Sequence, residues 1–481
     1  MIPFRAADMI AGREIASFFT AEAGVMTRSS RAPISGGGAE LRTDTGYRGI
    51  WYYCGVVPNN PYRYKYSGGL GTYPQQLHPI AVYSREANKT FFCYGGTVRG
   101  KQELLHMVSY FDHATGLVPR PRILLERLTE DAHDNPTMMI DDKGFVWIFS
   151  NTHGRAPRPS IVHRSVEPYS IDRFERIRET NFSYAQPWFL PGQGLLFLHT
   201  RYVGGRRRLC WQTTPDGRRW TRRRMLARTD RGHYQISWQH GKKVGTAFNY
   251  HTDRMVEPWS RTNLYYVETT DFGTTWRTAG GDPVRTPIET VSSPALVHDY
   301  RSEGRLVYLK NLQFDSRGRP VILYLTCTTA VPGPQGDPRT WHTARWTGAR
   351  WEIRPFTTSD HAYDYGPLYI EPDGTWRIIA PTEVGPQAWC TGGEMVMWTS
   401  GDRGRTWRKL KQLTRGSRYN HTYAKQPVDA HPDFYALWAD GNPLRPSKSC
   451  LYFTNRTGSH VWRLPTVMKG KFARPEPVEF A

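Results

Sequence analysis

One unit recurs seven times along this chain, and that recurrence limits the possible folds more than any other feature. Each copy has a polar or aromatic opening, a short apolar strand, a turn with Gly, Asp or Asn, and a second, stronger strand. The copies open at His78, His133, Tyr184, His233, Val307, Tyr363 and Tyr423. A single hairpin unit of this kind cannot bury both its faces, so the seven copies must stack against one another in a closed ring. The expected fold is all-β: a seven-bladed β-propeller of four-stranded antiparallel blades spanning 46–481. Residues 1–45 read as a partly flexible lead-in, with the segment SSRAPISGGGAE at 29–40. The wider gap between the fourth and fifth copies marks a long insertion around 252–306.

A second signature falls in the outer halves of the blades. Thr269–Trp276 and Ser400–Trp407 both match S/T-x-D-x-G-x-T-W, and Thr214–Trp220 is a shortened version. These segments resemble the Asp-box of sialidase-like propellers. Asp and Gly build the hairpin turn and Trp packs between strands, so the motif bears on fold and not on activity.

The chain carries 64 Lys and Arg against 43 Asp and Glu, a formal charge of +21. A field of that sign favours a polyanion, either nucleic acid or an acidic polysaccharide. The short runs Arg206–Arg208 and Arg222–Arg224 read, taken singly, as solvated surface. No recognised nucleic-acid module accompanies the charge, so nucleic acid is not the expected partner. The six cysteines show no CxxC pairing and read as ordinary buried thiols. No apolar stretch has the length of a membrane span, and no membrane partner is expected. The first thirty residues show no signal-peptide core, which leaves the compartment open. A monomer is expected.

Hairpin geometry places the start of one strand and the end of the next at the same edge. In the second copy His133 opens the first strand and His153 follows the second. The third copy places Tyr184 and Arg201 likewise, and the fourth places His233, Tyr234 and His251. Three adjacent blades therefore present His, Tyr and Arg side chains to one mouth, the usual ligand site of such a ring. One histidine at a strand end is ordinarily structural, but a set at equivalent corners argues for a site. His78 opens the first copy and ranks below the others. Tyr363 and Tyr423 read as channel lining.

Glycoside hydrolysis wants two carboxylates flanking the bond, and the nearest acids here are Asp131 and Asp134. His133, His153 and His251 could supply zinc ligands, but no spacing motif argues for it. His, Tyr and Arg together suit β-elimination at a 4-linked uronate. That reaction needs a group to neutralise the carboxylate, a base for the C5 proton and an acid for the leaving oxygen. It requires no cofactor and leaves room for a structural metal ion.

At these residues the chain resembles the BNR-4 type propellers, including ulvan lyases of polysaccharide lyase families 24 and 25. The segments that carry the resemblance are 66–97, DAHDNP and NTHG within 131–154, NFSYAQPWF at 181–189, LFLHTRY at 196–202 and HPDFYALWADGNP at 431–443. The resemblance implies a polysaccharide lyase cleaving a rhamnose- and uronate-containing acidic polysaccharide. It implies His133, His153 and Tyr184 as catalytic groups and Arg201 as the carboxylate neutraliser. His251, Tyr202, Tyr234, Asn135 and Gln186 complete the expected substrate-binding set. A rhamnosyl-glucuronate hydrolase on the same scaffold and a non-catalytic acidic-glycan-binding propeller are the alternatives. A secreted or periplasmic location would follow from the substrate class.

Overall fold

The structure, a computed structural model, describes residues 38–98, 101–154, 158–252 and 260–479. Residues 1–37, most of the expected lead-in, lie outside the described residues. Seven antiparallel sheets follow one another, each taking its strands from one continuous stretch of chain. Their innermost strands begin at Ala81, Thr137, Ser183, Gln235, Leu306, Leu368 and Asn420, beside the seven repeat starts. Six sheets have four strands, and the seventh gains a fifth, Glu476–Val478. The fold is the expected seven-bladed propeller. Among the described residues there is no α-helix, only the 3-10 turns Ala132–Asp134 and Pro334–Gly336.

Burial follows position in the blade. The inner strand Leu306–Phe314 is buried at every residue, because both its faces meet neighbouring blades. The outer strand Phe174–Thr180 buries only its first residue and leaves two others exposed. The S/T-x-D-x-G-x-T-W turns lock the outer corners. Asp271 Oδ1 accepts the Thr275 N–H at 2.9 Å and Oδ2 accepts the Thr275 hydroxyl at 2.6 Å. Asp402 holds Thr406 in the same way. Gly273 and Gly404 sit at φ +80° and +76°, where a Cβ would be strained. Trp276 then packs edge-on against Trp211 of the preceding blade, and Trp407 lies tilted against Phe356.

Of the insertion expected around 252–306, residues 253–259 lie outside the described residues, and the rest belongs to the outer half of the fourth blade. Its third strand, Thr262–Thr269, is separated from its fourth, Leu296–His298, by the Asp271 turn and a bridged loop. Among the described residues no single blade contains strands from both ends of the chain. The ring closes instead through Phe472–Ala473, which pairs with Val118–Pro119 of the first blade, and through a Val82–Val428 bridge. A cluster including Phe92, Phe111, Phe434 and Phe453 fills that seam.

A hairpin precedes the first blade, Trp51–Val56 paired with Tyr64–Gly69. It crosses the mouth of the ring. Trp51 Nε1 donates to the Asn442 carbonyl at 2.7 Å, and Ser67 donates to the Pro443 carbonyl at 2.5 Å. At its other end Asn60 donates to the Pro332 carbonyl, and Tyr62 packs on Trp389. Between these anchors Lys65 and Tyr66 are held over the inner strands.

Candidate active site

Asp131 organises the mouth. It caps the turn Ala132–Asp134 by accepting the His133 N–H at 2.9 Å. The same Oδ1 lies 2.5 Å from His133 Nδ1, and Oδ2 lies 2.8 Å from His153 Nδ1. A carboxylate can only accept, so each imidazole donates from Nδ1 and offers a lone pair at Nε2. The two rings stack with centroids 4.0 Å apart. Burial alone would raise the Asp131 carboxyl, but the two imidazoles outweigh it and hold it well below the usual carboxylate range.

The loop that carries this pair is fixed by Asp134 and Arg127. Asp134 Oδ1 accepts the His153 backbone N–H at 2.5 Å, and Oδ2 takes Arg127 Nε at 3.2 Å. Burial, opposed by Arg127, raises the Asp134 carboxyl to about 6.

Each Nε2 meets tyrosine. Tyr66 and Tyr73 hydroxyls lie 2.8 and 2.7 Å from His133 Nε2 and 2.6 Å from each other. His153 Nε2 lies 3.1 Å from the Tyr202 hydroxyl, which in turn accepts from Arg207 Nε at 3.1 Å. Burial pushes His133 down to about 4, so it is neutral near pH 7. Its side chain is 6% exposed against 29% for His153, so His153 is the histidine open to solvent and to a ligand.

Tyr184 sits beside both rings, at 6.2 Å from His133 and 5.9 Å from His153. The first strand of the third blade shifts register between Ser183 and Gln186, and Tyr184 adopts φ +53° in that bulge. The bulge re-aims the ring from the blade interface towards the mouth. Its hydroxyl is buried without a hydrogen-bond partner, and burial raises its pKa well above that of a free tyrosine. Tyr202 is close enough to be felt electrostatically, but no hydrogen bond of normal geometry joins the two.

Three cations face this group. Arg207 lies over the Tyr234 ring at 4.8 Å and Arg261 at 4.5 Å. Lys65 lies 5.7 Å from the Tyr66 ring centroid, and burial lowers it to about 8. Arg261 also donates to the Tyr363 hydroxyl at 2.7 Å, which makes Tyr363 part of the site as well as of the channel. Tyr234 packs on Tyr184 and on His251. His251 Nε2 is buried and unpartnered, and burial, together with Arg207, Arg261 and Lys65, lowers its pKa.

Five expected residues fall elsewhere. Arg201 adjoins Tyr202 in Gly194–Val203 and so points to the other face of the strand. Its Nη1 donates to the Asn181 carbonyl at 3.1 Å, an acceptor it shares with Arg223. The cation on the Tyr202 face is Arg207, directly across the strand pair from Tyr202. Asn135 spends its amide on the carbonyls of Leu70, Gly71 and Tyr73, so it pins a loop. Gln186 bonds the Gln235 carbonyl and Ser237, joining the third and fourth blades. His233 takes the Thr229 N–H on Nε2 and gives Nδ1 to the Asn249 carbonyl, which leaves no nitrogen for a ligand. His78 is buried against Trp188 and Trp238.

Asp131, His133 and His153 offer ligand atoms within 4.8 Å of one another. Direct contacts of 2.5 and 2.8 Å already join them, so protons occupy the space an ion would need. Their arrangement is that of a proton relay, with Asp131 fixing both tautomers. His251 is not brought into a ligand set with them. Lys65, Tyr66, Tyr73 and Arg261 were not singled out from sequence, and Arg207, read there within a solvated surface run, instead packs against Tyr202 and Tyr234. For Arg207 a signal existed: the Gly204-Gly205 loop sets Tyr202 opposite Arg207.

The model of the BNR repeat-containing family (BNR_4) matches residues 101–359. The chain belongs to that family. This BNR-repeat propeller also superposes on an ulvan lyase of polysaccharide lyase family PL25, with TM-score 0.68 and 17% identity, covering 86% of this chain and 96% of the lyase. The same enzyme bound to -[GlcA(1-4)Rha3S]- gives TM-score 0.66 and 15% identity over 86% and 96%. The polysaccharide lyase Uly1 gives 0.60 and 9% over 86% and 98%. At these identities the likeness is one of fold. Among curated proteins, none matches the sequence.

Proposed function

We propose that this BNR-repeat propeller is a polysaccharide lyase that cleaves an ulvan-like, rhamnose- and uronate-containing polysaccharide by β-elimination. The observation that carries this reading is Asp131 holding the two stacked imidazoles of His133 and His153 beside three cations. Among the described residues no second carboxylate stands free across from Asp131, since Asp134 is committed to Arg127 and the His153 backbone. A paired-acid glycosidase would need one.

In this reading Arg207, Arg261 and Lys65 receive the uronate carboxylate, and their charge stabilises the enolate-like transition state. His153 Nε2 takes the C5 proton, and the C5–H electron pair becomes the C4–C5 double bond as the C4–O bond breaks. The Tyr184 hydroxyl gives its proton to the leaving oxygen. Burial keeps that hydroxyl protonated, which suits an acid. The proton then returns from His153 to Tyr184 through solvent. His133, with Tyr66 and Tyr73, keeps Asp131 in place.

The test is incubation with ulvan, following ultraviolet absorbance and product mass. An unsaturated uronate at the new non-reducing end is expected. Free rhamnose with saturated glucuronate would instead identify a hydrolase, and binding without product a glycan-binding module.

A further inference from the structure

Third strands start at the mouth of the ring and finish at the opposite face. There His113, which follows the third strand Leu105–Asp112 of the first blade, meets His431 and Asp433 in the turn between Asn420–Lys425 and Ala436–Gly441 of the last blade. The two imidazole centroids are 3.7 Å apart, and ligand atoms of all three residues lie within 4.8 Å of one another.

The protonation pattern here is the reverse of that at Asp131. His113 Nε2 lies 2.8 Å from the Thr90 hydroxyl, and its Nδ1 is buried with no hydrogen-bond partner. His431 Nδ1 accepts the Asp433 N–H at 3.2 Å, so that nitrogen carries a lone pair and not a proton, with the Asp433 carboxylate 3.8 Å away. A buried nitrogen without a partner calls for a ligand of its own.

We propose that His113, His431 and Asp433 bind one divalent transition-metal ion of the zinc class. Two imidazoles and a carboxylate are the borderline-soft donor set such ions take, with water completing a tetrahedron. Donors around zinc stand roughly 3.4 Å apart, so binding asks these three groups to draw closer, and Asp433 is exposed and able to turn. Thr90 orients His113 from behind, as second-shell partners do. The ion would add a tie between the first and last blades beside the Val82–Val428 bridge, and so would staple the ring.

The experiment is Zn²⁺ titration of chelator-stripped full-length protein, by calorimetry and by bound-metal content. Thermal melts with and without Zn²⁺ run alongside. Wild type should take up one equivalent and melt higher with Zn²⁺. His431→Ala, and Asp433→Ala at an exposed position that folding does not need, should each weaken uptake at least about tenfold and lose the shift. His153→Ala should keep both, which separates this site from the mouth. The proposal is overturned if wild type takes up no Zn²⁺, or if the two seam variants bind it as wild type does. Uptake that disappears in His153→Ala overturns it equally.

Discussion

His133 and His153 stack face to face, 4.0 Å between ring centroids, and share one carboxylate. Two imidazoles so close would repel if both were charged, and Asp131 resolves this by accepting a proton-bearing Nδ1 from each. Asp131→Asn should therefore be severe. An amide turned to either ring would present N–H where an acceptor is needed, and would move that imidazole's proton to Nε2. Turnover on ulvan should fall by about 10²-fold or more. A melting temperature close to wild type, read on the same preparation, would show that the loss is chemical.

Arg207 and Arg201 make a matched pair for testing which face of the strand carries the site. Arg207→Lys removes the Nε donor on Tyr202 and the fork over Tyr234. Loss of about 10²-fold in kcat/KM is expected. Arg201→Lys, whose side chain serves the Asn181 carbonyl, should stay within a few-fold of wild type. The opposite ranking would place the substrate on the Arg201 face.

Lys65 gives the site an alkaline limit. Its pKa is lowered to about 8 by burial, so the charge is present below that value and is lost as pH rises through it. KM for a uronate polymer should climb above about pH 8 while binding at lower pH is unaffected. Lys65→Met should show a raised KM that no longer varies across the same range.

His233 gives the fold an acid limit. Burial lowers it to about 4, and protonating Nε2 would break its bond from the Thr229 N–H. The unfolded chain binds this proton below about pH 6.5, whereas the folded chain resists until about pH 4, so stability is lost as pH falls through that window. The loss from this group is about 3 kcal/mol once pH has dropped below both values. Thermal melts between pH 7 and 4 should show it, and His233→Gln, which can keep both bonds, should flatten the slope.

The ring was legible in the sequence because each blade repeats the same hairpin and because the Asp271 and Asp402 turns write their hydrogen bonds into fixed spacings. His133, His153, Tyr184, Tyr234 and His251 could be assigned to one mouth from strand ends alone, whereas Tyr202 entered only through the family resemblance. Side-chain direction was harder. Arg201 and Arg207 differ only in which face of a two-strand ribbon they occupy. Asn135, Gln186 and His233 lie at the right level but are consumed by backbone carbonyls and amides, which composition does not reveal. Lys65 and Tyr66 arrive from a hairpin outside the repeat, so the period that located the other residues carried no information about them.

That hairpin has a consequence for how the protein comes into being. Tyr66 touches His133 in the second blade while its own hairpin is anchored by Trp51 and Ser67 to Asn442 and Pro443 in the last. This hairpin thus finds its seat only when the last blade has been made. A nascent chain would carry His133, His153 and Tyr184 through most of its synthesis without a finished site around them. Catalytic competence would then appear in a single step, as the ribosome delivers the residues that complete the circle.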